Sequence, residues 1–145
     1  MATVWAQKEF TLSRREKGVY LITNEVLQQI NKDLSQVQIG TVNLFVKHTS
    51  AGITLNENFD PDVRTDMNNV LDHIVPYNQP YYLHVDEGPD DLPGHIKTSL
   101  IGPSVTIPIK NGHLNVGTWQ GIYLCEFREY MHSRTIVATI TGQKK

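Results

Sequence analysis

The sequence has little cysteine, no long apolar run and no large excess of either charge. Its 145 residues contain one cysteine, Cys125, so no disulfide can form within the chain, which fits a reducing compartment. No stretch approaches the ~18 apolar residues of a membrane-spanning helix, and residues 1–10 lack the pattern of a signal peptide. A net charge of −2 provides no broad basic surface. We therefore expect a cytoplasmic protein with no nucleic-acid or membrane partner.

Short catalytic motifs are also missing. The sequence contains neither a glycine-rich phosphate loop of the P-loop or Rossmann kind nor the H-E-x-x-H pattern of a zinc helix. The length fits a single domain over residues 1–145. Any functional site must therefore be assembled from residues that are distant in the sequence.

Strand patterns outnumber helix patterns along the chain. Apolar alternation and turn residues predict strands at residues 3–12, 39–47, 81–85, 105–110, 113–117, 122–128 and 134–141. Asn111–Gly112 has the composition of a tight hairpin turn. Two helices are predicted in the first half, and residues 96–100 are long enough for a helical turn or two. The prediction is an α+β fold, a mainly antiparallel β-sheet or sandwich with two or three helices.

The two helix starts carry capping signals. Thr23 or Asn24 is expected to cap the first helix. Asp60 followed by Pro61 is a strong start for the second, because a side-chain acceptor precedes a proline at the first helical position. The buried stripe predicted for this second helix consists of Val63, Met67, Val70, Leu71 and Ile74.

His48 extends the apolar row of a predicted strand. Val42, Leu44 and Val46 alternate with polar residues, and one further step places His48 on the same inward face. An imidazole at that position can be a metal ligand or a proton carrier. It can equally be a core histidine that is satisfied by the backbone.

Three histidines lie where predicted strands meet loops, namely His48, His84 and His95. Three imidazoles can hold a divalent transition metal and leave a position open for water or substrate. Glu57 and Asp62 are carboxylates that could orient an imidazole or act as a general base. The acidic segment at residues 86–91 lacks the spacing of a calcium loop, and we interpret it as a solvated loop.

Further polar residues lie near the predicted strand ends. Lys97 and Arg134 could bind phosphate, and Arg134 continues the inward row of the last strand, so it needs an anionic partner. Trp119 and Gln120 lie in the segment 117–121. This segment is either a tight turn with a structural tryptophan or a loop in which Trp119 stacks on a ligand and Gln120 donates a hydrogen bond to it.

Four segments together resemble the YjbQ-like family: residues 48–51, residues 56–58 with 60–66, residues 93–97, and residues 117–121 with Arg134. The resemblance spans the chain in the same order and at similar spacing. It implies a compact α+β fold with an antiparallel sheet, assembly as a homotrimer and a histidine cluster that can bind metal.

The resemblance also assigns roles to residues. The implied metal ligands are His48, His84 and His95, and the implied metal is a divalent ion, Zn²⁺ or similar, with Mg²⁺ possible. The candidate catalytic residues are Glu57, Asp62 and Arg134. The candidate substrate-binding residues are Asn58, Lys97, Trp119 and Gln120.

Members of the YjbQ-like family are described as secondary thiamine-phosphate synthases. This activity joins hydroxymethylpyrimidine diphosphate to thiazole phosphate and releases diphosphate. The resemblance therefore implies a metal-assisted enzyme that acts on small phosphorylated metabolites. Two alternatives stay open: a non-catalytic metal- or metabolite-binding homotrimer, and a hydrolase for an ester.

Overall fold

Two antiparallel β-sheets and three helices build the fold, which confirms the predicted α+β class. The computed structural model describes residues 2–145. The strands are β1 (Thr3–Thr11), β2 (Gly18–Leu21), β3 (Val37–Val46), β4 (Ala51–Glu57), β5 (Ser104–Lys110), β6 (His113–Leu114), β7 (Gln120–Glu126) and β8 (Thr135–Lys144). The helices are α1 (Thr23–Leu34), α2 (Pro61–Ile74) and α3 (Asp91–Ile101). The larger sheet has the order β1-β8-β3-β5-β6, and the smaller has the order β2-β7-β4.

The inner face of the larger sheet carries the alternating apolar rows of β3 and β8. Val42 of β3 lies opposite Ile140 of β8, and Leu44 lies opposite Ala138. All four side chains are buried, because successive residues of a strand point to opposite faces and these four point to the core. The predicted inward row is confirmed here.

The smaller sheet is covered on both of its faces. Ile122 and Leu124 of β7 pack into the main core with the buried stripe of α1. Tyr123 and Cys125, which point the other way, pack with Leu71 of α2 in a second apolar cluster. This double coverage explains why β7 reads as a continuous apolar run rather than as an alternation.

Helix α2 begins as the sequence predicts, but its apolar stripe is less buried than expected. Asp60 accepts a hydrogen bond from the Asp62 amide at 2.9 Å, and Pro61 is the first helical residue. Of the five residues predicted as a buried stripe, only Leu71 is buried, while Val70 and Ile74 are exposed. The helix therefore contacts the small sheet along a narrow line.

The predicted cap of α1 is wrong. Thr23 is the first residue of the helix, Ile22 occupies the cap position, and no side chain caps the helix. The Thr23 hydroxyl instead accepts a hydrogen bond from the Ile122 amide at 2.9 Å. This threonine therefore connects α1 to β7 and does not cap the N-terminus of the helix.

Three other local predictions need correction. Residues 81–85 form no strand, and the Tyr82 hydroxyl donates to the Pro76 carbonyl at 2.6 Å within an irregular segment. Residues 51–57, which carry no clear alternation, form β4, because Thr54 and its neighbours pair with β7. The helical turn or two expected near residues 96–100 is part of the eleven-residue helix α3.

The hairpin at Asn111–Gly112 is confirmed. Both residues have positive φ, 50° and 79°, and they connect β5 to the two-residue strand β6. Asparagine and glycine tolerate this region better than other residues do, so the dipeptide determines the turn. Among the helices of residues 2–145, none is both long and apolar enough to cross a membrane.

Candidate metal centre

His84, Asp91 and His95 converge at the N-terminal end of α3. One ligand atom from each residue lies within 4.8 Å of the others. The Asp91 Oδ2 atom is 2.8 Å from His84 Nε2 and 3.0 Å from His95 Nε2. The two imidazole rings lie 5.4 Å apart. Two imidazole nitrogens and one carboxylate oxygen are a donor set used for zinc and related ions in proteins.

The backbone determines which nitrogen of His95 faces Asp91. His95 Nδ1 lies 2.7 Å from the Thr49 carbonyl oxygen, which only accepts, so Nδ1 carries a proton. In the neutral ring, Nε2 is then a lone-pair atom aimed at Asp91 Oδ2. Two lone pairs facing each other at 3.0 Å need a cation between them, either a proton on Nε2 or a metal ion.

Asp91 is held in place by Arg128. The Arg128 guanidinium donates to Asp91 Oδ1 at 2.7 Å and to Asp90 Oδ2 at 2.8 Å. Burial alone would raise the pKa of Asp91, but the hydrogen bond from His84 and the charges of His95 and Arg128 hold that pKa below its ordinary value. Asp91 is therefore an anion at neutral pH, although only 2% of the residue is exposed.

Asp91 is a member of this group that the local sequence pattern did not reveal. We interpreted residues 86–91 as a solvated loop, but Asp90 and Asp91 are both buried, and Asp91 is the first residue of α3. The available signal was the spacing of Asp91 and His95, since residues four apart lie on the same face of a helix. Recognising it required placing the helix start at residue 91.

His48 does not belong to this group. Its Nε2 accepts a hydrogen bond from the Thr135 amide at 2.8 Å, so the neutral ring carries its proton on Nδ1. Burial, and then the nearby Arg134 guanidinium, lower the pKa of His48 and favour the neutral ring. His48 nevertheless shares a cleft of about 520 Å³ with His95, with Thr49 on the same wall.

Arg134 is not available in this cleft as an anion-binding group. It forms a two-pronged ion pair with Glu126, with Nε–Oε1 at 2.6 Å and Nη2–Oε2 at 2.5 Å, and both side chains are buried. The same guanidinium donates to the Ser50 hydroxyl at 2.9 Å. The anionic partner that was expected for Arg134 is therefore Glu126, a carboxylate of the same chain.

Lys97 is likewise paired inside the protein. Its ammonium group donates to Asp72 Oδ1, and Lys17 Nζ lies 2.6 Å from the second oxygen of the same carboxylate. Burial lowers the pKa of Lys97, and the ion pair with Asp72 opposes that shift. Since only 1% of Lys97 is exposed, its role in this structure is to join α3 to α2.

Glu57 and Asp62 lie at the other end of β4 from the histidines. The Glu57 carboxylate accepts from the amides of Phe59 and Asp60, so it closes the turn before α2. Asp62 is exposed in the first turn of α2. Neither carboxylate is near the group formed by His84 and its partners.

Asn58, Trp119 and Gln120 also lie at this far end. Glu57 pairs with Gln120 where β4 meets β7, and the Asn58 amide donates to the Trp119 carbonyl at 3.0 Å. Thr49, which holds His95, precedes the opposite end of β4. The seven residues of β4 separate the two ends by about 20 Å. Within one chain, the predicted site residues therefore lie in two separate regions.

The fold and the histidine–aspartate group define the class of protein: an α+β chain of two antiparallel sheets with a candidate metal centre on α3. The sequence pattern of the family described as UPF0047 protein YjbQ-like matches residues 8–143. This chain belongs to that UPF0047 family, which confirms the family resemblance.

Relatives and solved structures agree with this assignment. UPF0047 protein YjbQ of Escherichia coli O157:H7 is 46% identical over 140 residues, which are 97% of this chain and all of the relative. UPF0047 protein MJ1081 of Methanocaldococcus jannaschii is 44% identical and covers 85% of this chain and 84% of its own length.

The solved structures share the fold. A YjbQ/UPF0047-family protein of Clostridium acetobutylicum has a TM-score of 0.79 at 40% identity and covers 92% of this chain and 98% of its own. A YbjQ-like protein of Sulfolobus solfataricus P2 has a TM-score of 0.86 over 98% of this chain and 100% of its own. At 22% identity, the second structure supports the fold alone.

Proposed function

We propose that this chain is a metal-assisted enzyme for a small phosphorylated metabolite and that His84, Asp91 and His95 bind the metal. The observation that carries the proposal is the convergence of these three ligand atoms beside a cleft. A volume of about 520 Å³ is within the range of small-molecule sites.

The residues around the group fit a divalent transition metal. The Thr49 carbonyl holds the proton of His95 on Nδ1 and leaves Nε2 for an ion. Arg128 orients Asp91 and keeps it ionised. Outer partners of this kind are usual for metal-binding imidazoles and carboxylates. The donor set favours Zn²⁺ or a similar ion over Mg²⁺, which prefers oxygen ligands.

A divalent ion in this group would supply a Lewis acid for an oxygen of a phosphate or diphosphate. The chain contributes the remaining interactions. His48 is a neutral imidazole whose one remaining donor is Nδ1–H, and it would donate to an anionic oxygen in the cleft. Asp91 stays an anion that holds both imidazoles in position. Lys97 and Arg134 already form ion pairs with carboxylates of the chain. In this proposal they hold the surrounding structure in position and do not contact the substrate.

The specific reaction proposed is thiamine-phosphate synthesis, in which a thiazole nitrogen attacks a methylene carbon and diphosphate leaves. The family resemblance supports this choice. The reaction needs stabilisation of the leaving diphosphate, and the group around His84 is where the chain could provide it.

A non-catalytic metal-binding homotrimer is the second candidate. The observation that favours assembly is the loop beside His84, in which Tyr81, Leu83 and Val85 are exposed and Leu83 reaches 93% exposure. Such apolar side chains are often covered by another subunit. Light scattering on the purified protein measures the number of copies directly.

The deciding experiment is elemental analysis of the purified protein and three variants, His84→Ala, Asp91→Asn and His95→Ala. We expect about one ion per chain in the wild type and a loss of at least tenfold in each variant. His73→Ala is the matched control, because His73 is an exposed histidine on α2 whose Nδ1 lies 2.9 Å from the Asn69 carbonyl oxygen of its own helix. If all four variants contained as much metal as the wild type, the metal centre would be refuted.

Activity separates the two candidates. The metal-loaded wild type should form thiamine phosphate from its two substrates, and His48→Ala should retain the metal while turnover falls about tenfold or more, because a donor to the phosphate is lost. A loaded wild type without turnover would support the binding protein instead. If His48→Ala also lost the metal, His48 would be a ligand after all.

A further inference from the structure

Residues 75–90, which connect α2 to α3, form neither helix nor strand. A connection of more than about 15 residues without secondary structure is uncommon and is usually functional, for example as an active-site lid. We call its middle part, residues 78–86, the α2–α3 segment. Every residue of this segment is exposed or half-buried. The segment therefore lies on the surface, outside the two apolar clusters of the fold.

The α2–α3 segment is attached to the rest of the fold through His84. In the described part of the chain, the only hydrogen bond from this segment to a residue outside the connection joins His84 Nε2 to Asp91 Oδ2, at 2.8 Å. The other bonds are local, and the strongest is the one that the Tyr82 hydroxyl donates to the Pro76 carbonyl at 2.6 Å. Because one side chain supplies the attachment, the stability of the segment depends on what His84 binds.

Both ends of the segment are fixed. Before it, the Tyr77 hydroxyl donates to the Glu129 carboxylate at 3.2 Å. After it, the Arg128 guanidinium donates to the Glu87 carbonyl at 3.1 Å. The middle of the segment can therefore lift while its two ends stay in place.

A cavity of about 260 Å³ lies between the segment and α3. Its walls include Tyr82, His84 and Val85 of the segment and Leu92 and Pro93 of α3. Since a water molecule occupies about 30 Å³ in the liquid, this space is large enough for several waters. Closely packed protein interiors contain few voids of that size. The segment therefore rests on α3 without close packing, and little apolar contact is lost when it lifts.

We propose that the α2–α3 segment is a lid that carries the metal ligand His84 and that a bound metal ion closes this lid. The inference rests on the metal centre proposed above. Asp91 and His95 both belong to α3, so they stay in place when the lid lifts, and His84 alone moves away.

The metal ion and the lid act on each other. An ion bound by all three residues favours the closed form, because a ligand shifts an equilibrium toward the form to which it binds more tightly. Asp91 is buried under the closed lid, and a buried ligand needs an entry path for its ion. The open lid provides that path.

Limited proteolysis with chymotrypsin tests the lid on the full chain. This protease cleaves after aromatic and large apolar residues, and the lid offers Tyr81, Tyr82 and Leu83. The cleavage rate follows the population of the open form when opening is fast. With free zinc at ten times its Kd, that population and the cleavage rate should fall about tenfold relative to chelated protein. A peptide substrate in the same tube corrects for any effect of zinc on the protease.

Tyr82→Phe perturbs the lid without altering a metal ligand. It removes the hydrogen bond to the Pro76 carbonyl and should speed cleavage of the chelated protein about threefold, while the zinc content stays that of the wild type. Tyr20→Phe is the matched control, because the Tyr20 hydroxyl also donates to a backbone carbonyl, that of Glu16, at 2.7 Å, but lies on β2. Cleavage of the lid should not change in this variant.

Zinc content is measured on the same samples, so failure of the lid and failure of the metal centre give different results. Equal cleavage of zinc-loaded and chelated protein would overturn the lid and leave the metal centre intact. A chain that binds no zinc would overturn both proposals. A chelated protein that is cut first outside residues 81–83, or not at all, would also overturn the lid. Equal acceleration in Tyr20→Phe would do so too, because cleavage would then report opening of the whole fold.

Discussion

Replacing Arg134 with methionine should destabilise the whole protein rather than remove only an anion-binding group. Arg134 and Glu126 are both buried, the guanidinium donates two hydrogen bonds to the carboxylate, and it also donates to the Ser50 hydroxyl and carbonyl. Without the arginine, a carboxylate with no exposed surface loses its counter-charge. Breaking a buried pair in this way typically costs about 3–5 kcal/mol, and we expect a loss of that size.

The double variant Glu126→Leu with Arg134→Met separates charge from packing. Exchange of a buried ion pair for apolar residues of similar volume is often nearly neutral, so the double variant should recover most of the stability lost by Arg134→Met. Urea unfolding followed by circular dichroism gives the free energies of unfolding for the wild type, both single variants and the double variant.

One outcome would refute this reasoning. If Arg134→Met lost less than about 1 kcal/mol while substrate turnover disappeared, the guanidinium would be acting on substrate and the ion pair would not be its main role. The candidate catalytic role of Arg134 would then stand.

Two further predictions concern acids elsewhere in the chain. Asp60→Ala removes the side-chain cap of α2 and should cost about 1 kcal/mol in urea unfolding, whereas Asp62→Ala, an exposed neighbour, should change stability by less than about 0.5 kcal/mol. Burial would raise the pKa values of Asp72 and Asp91, but their ion pairs lower both, so these carboxylates stabilise the fold above the unfolded value of about 3.9. That stability is lost as the pH falls through the lower native values, and Asp72→Asn should reduce the pH dependence of the melting temperature between pH 5 and 3.

Local sequence signals predict the elements whose pattern and partners agree. The alternation of β3 is visible because one face is core and the other is solvent, so Val42, Leu44 and Val46 mark the strand. Asp60–Pro61 and Asn111–Gly112 act through their own backbone preferences, and both were confirmed. These features depend on few distant contacts.

The missed features depend on distant contacts. β4 carries no alternation, because it is an edge strand of the small sheet between the larger sheet and α3, and residues on both of its faces are buried. Asp91 is buried because Arg128, 37 positions away, neutralises its charge. The composition of residues 86–91 alone does not indicate that this arginine will be a partner. The histidine at 48 was correctly placed on an inward row, but the row does not reveal that its Nε2 receives the Thr135 amide.

The division of polar residues between the two ends of β4 has a consequence for how ligands and variants should behave. No compound the size of a single sugar or heterocycle can touch Thr49 and Asn58 of one chain at once, because about 20 Å of paired strand separates them. The β4–β7 ladder is the direct hydrogen-bonded connection between the two ends, and its central residues Ile53 and Leu124 are buried. A rigid spacer of this kind predicts independent saturation of the two ends in the monomer.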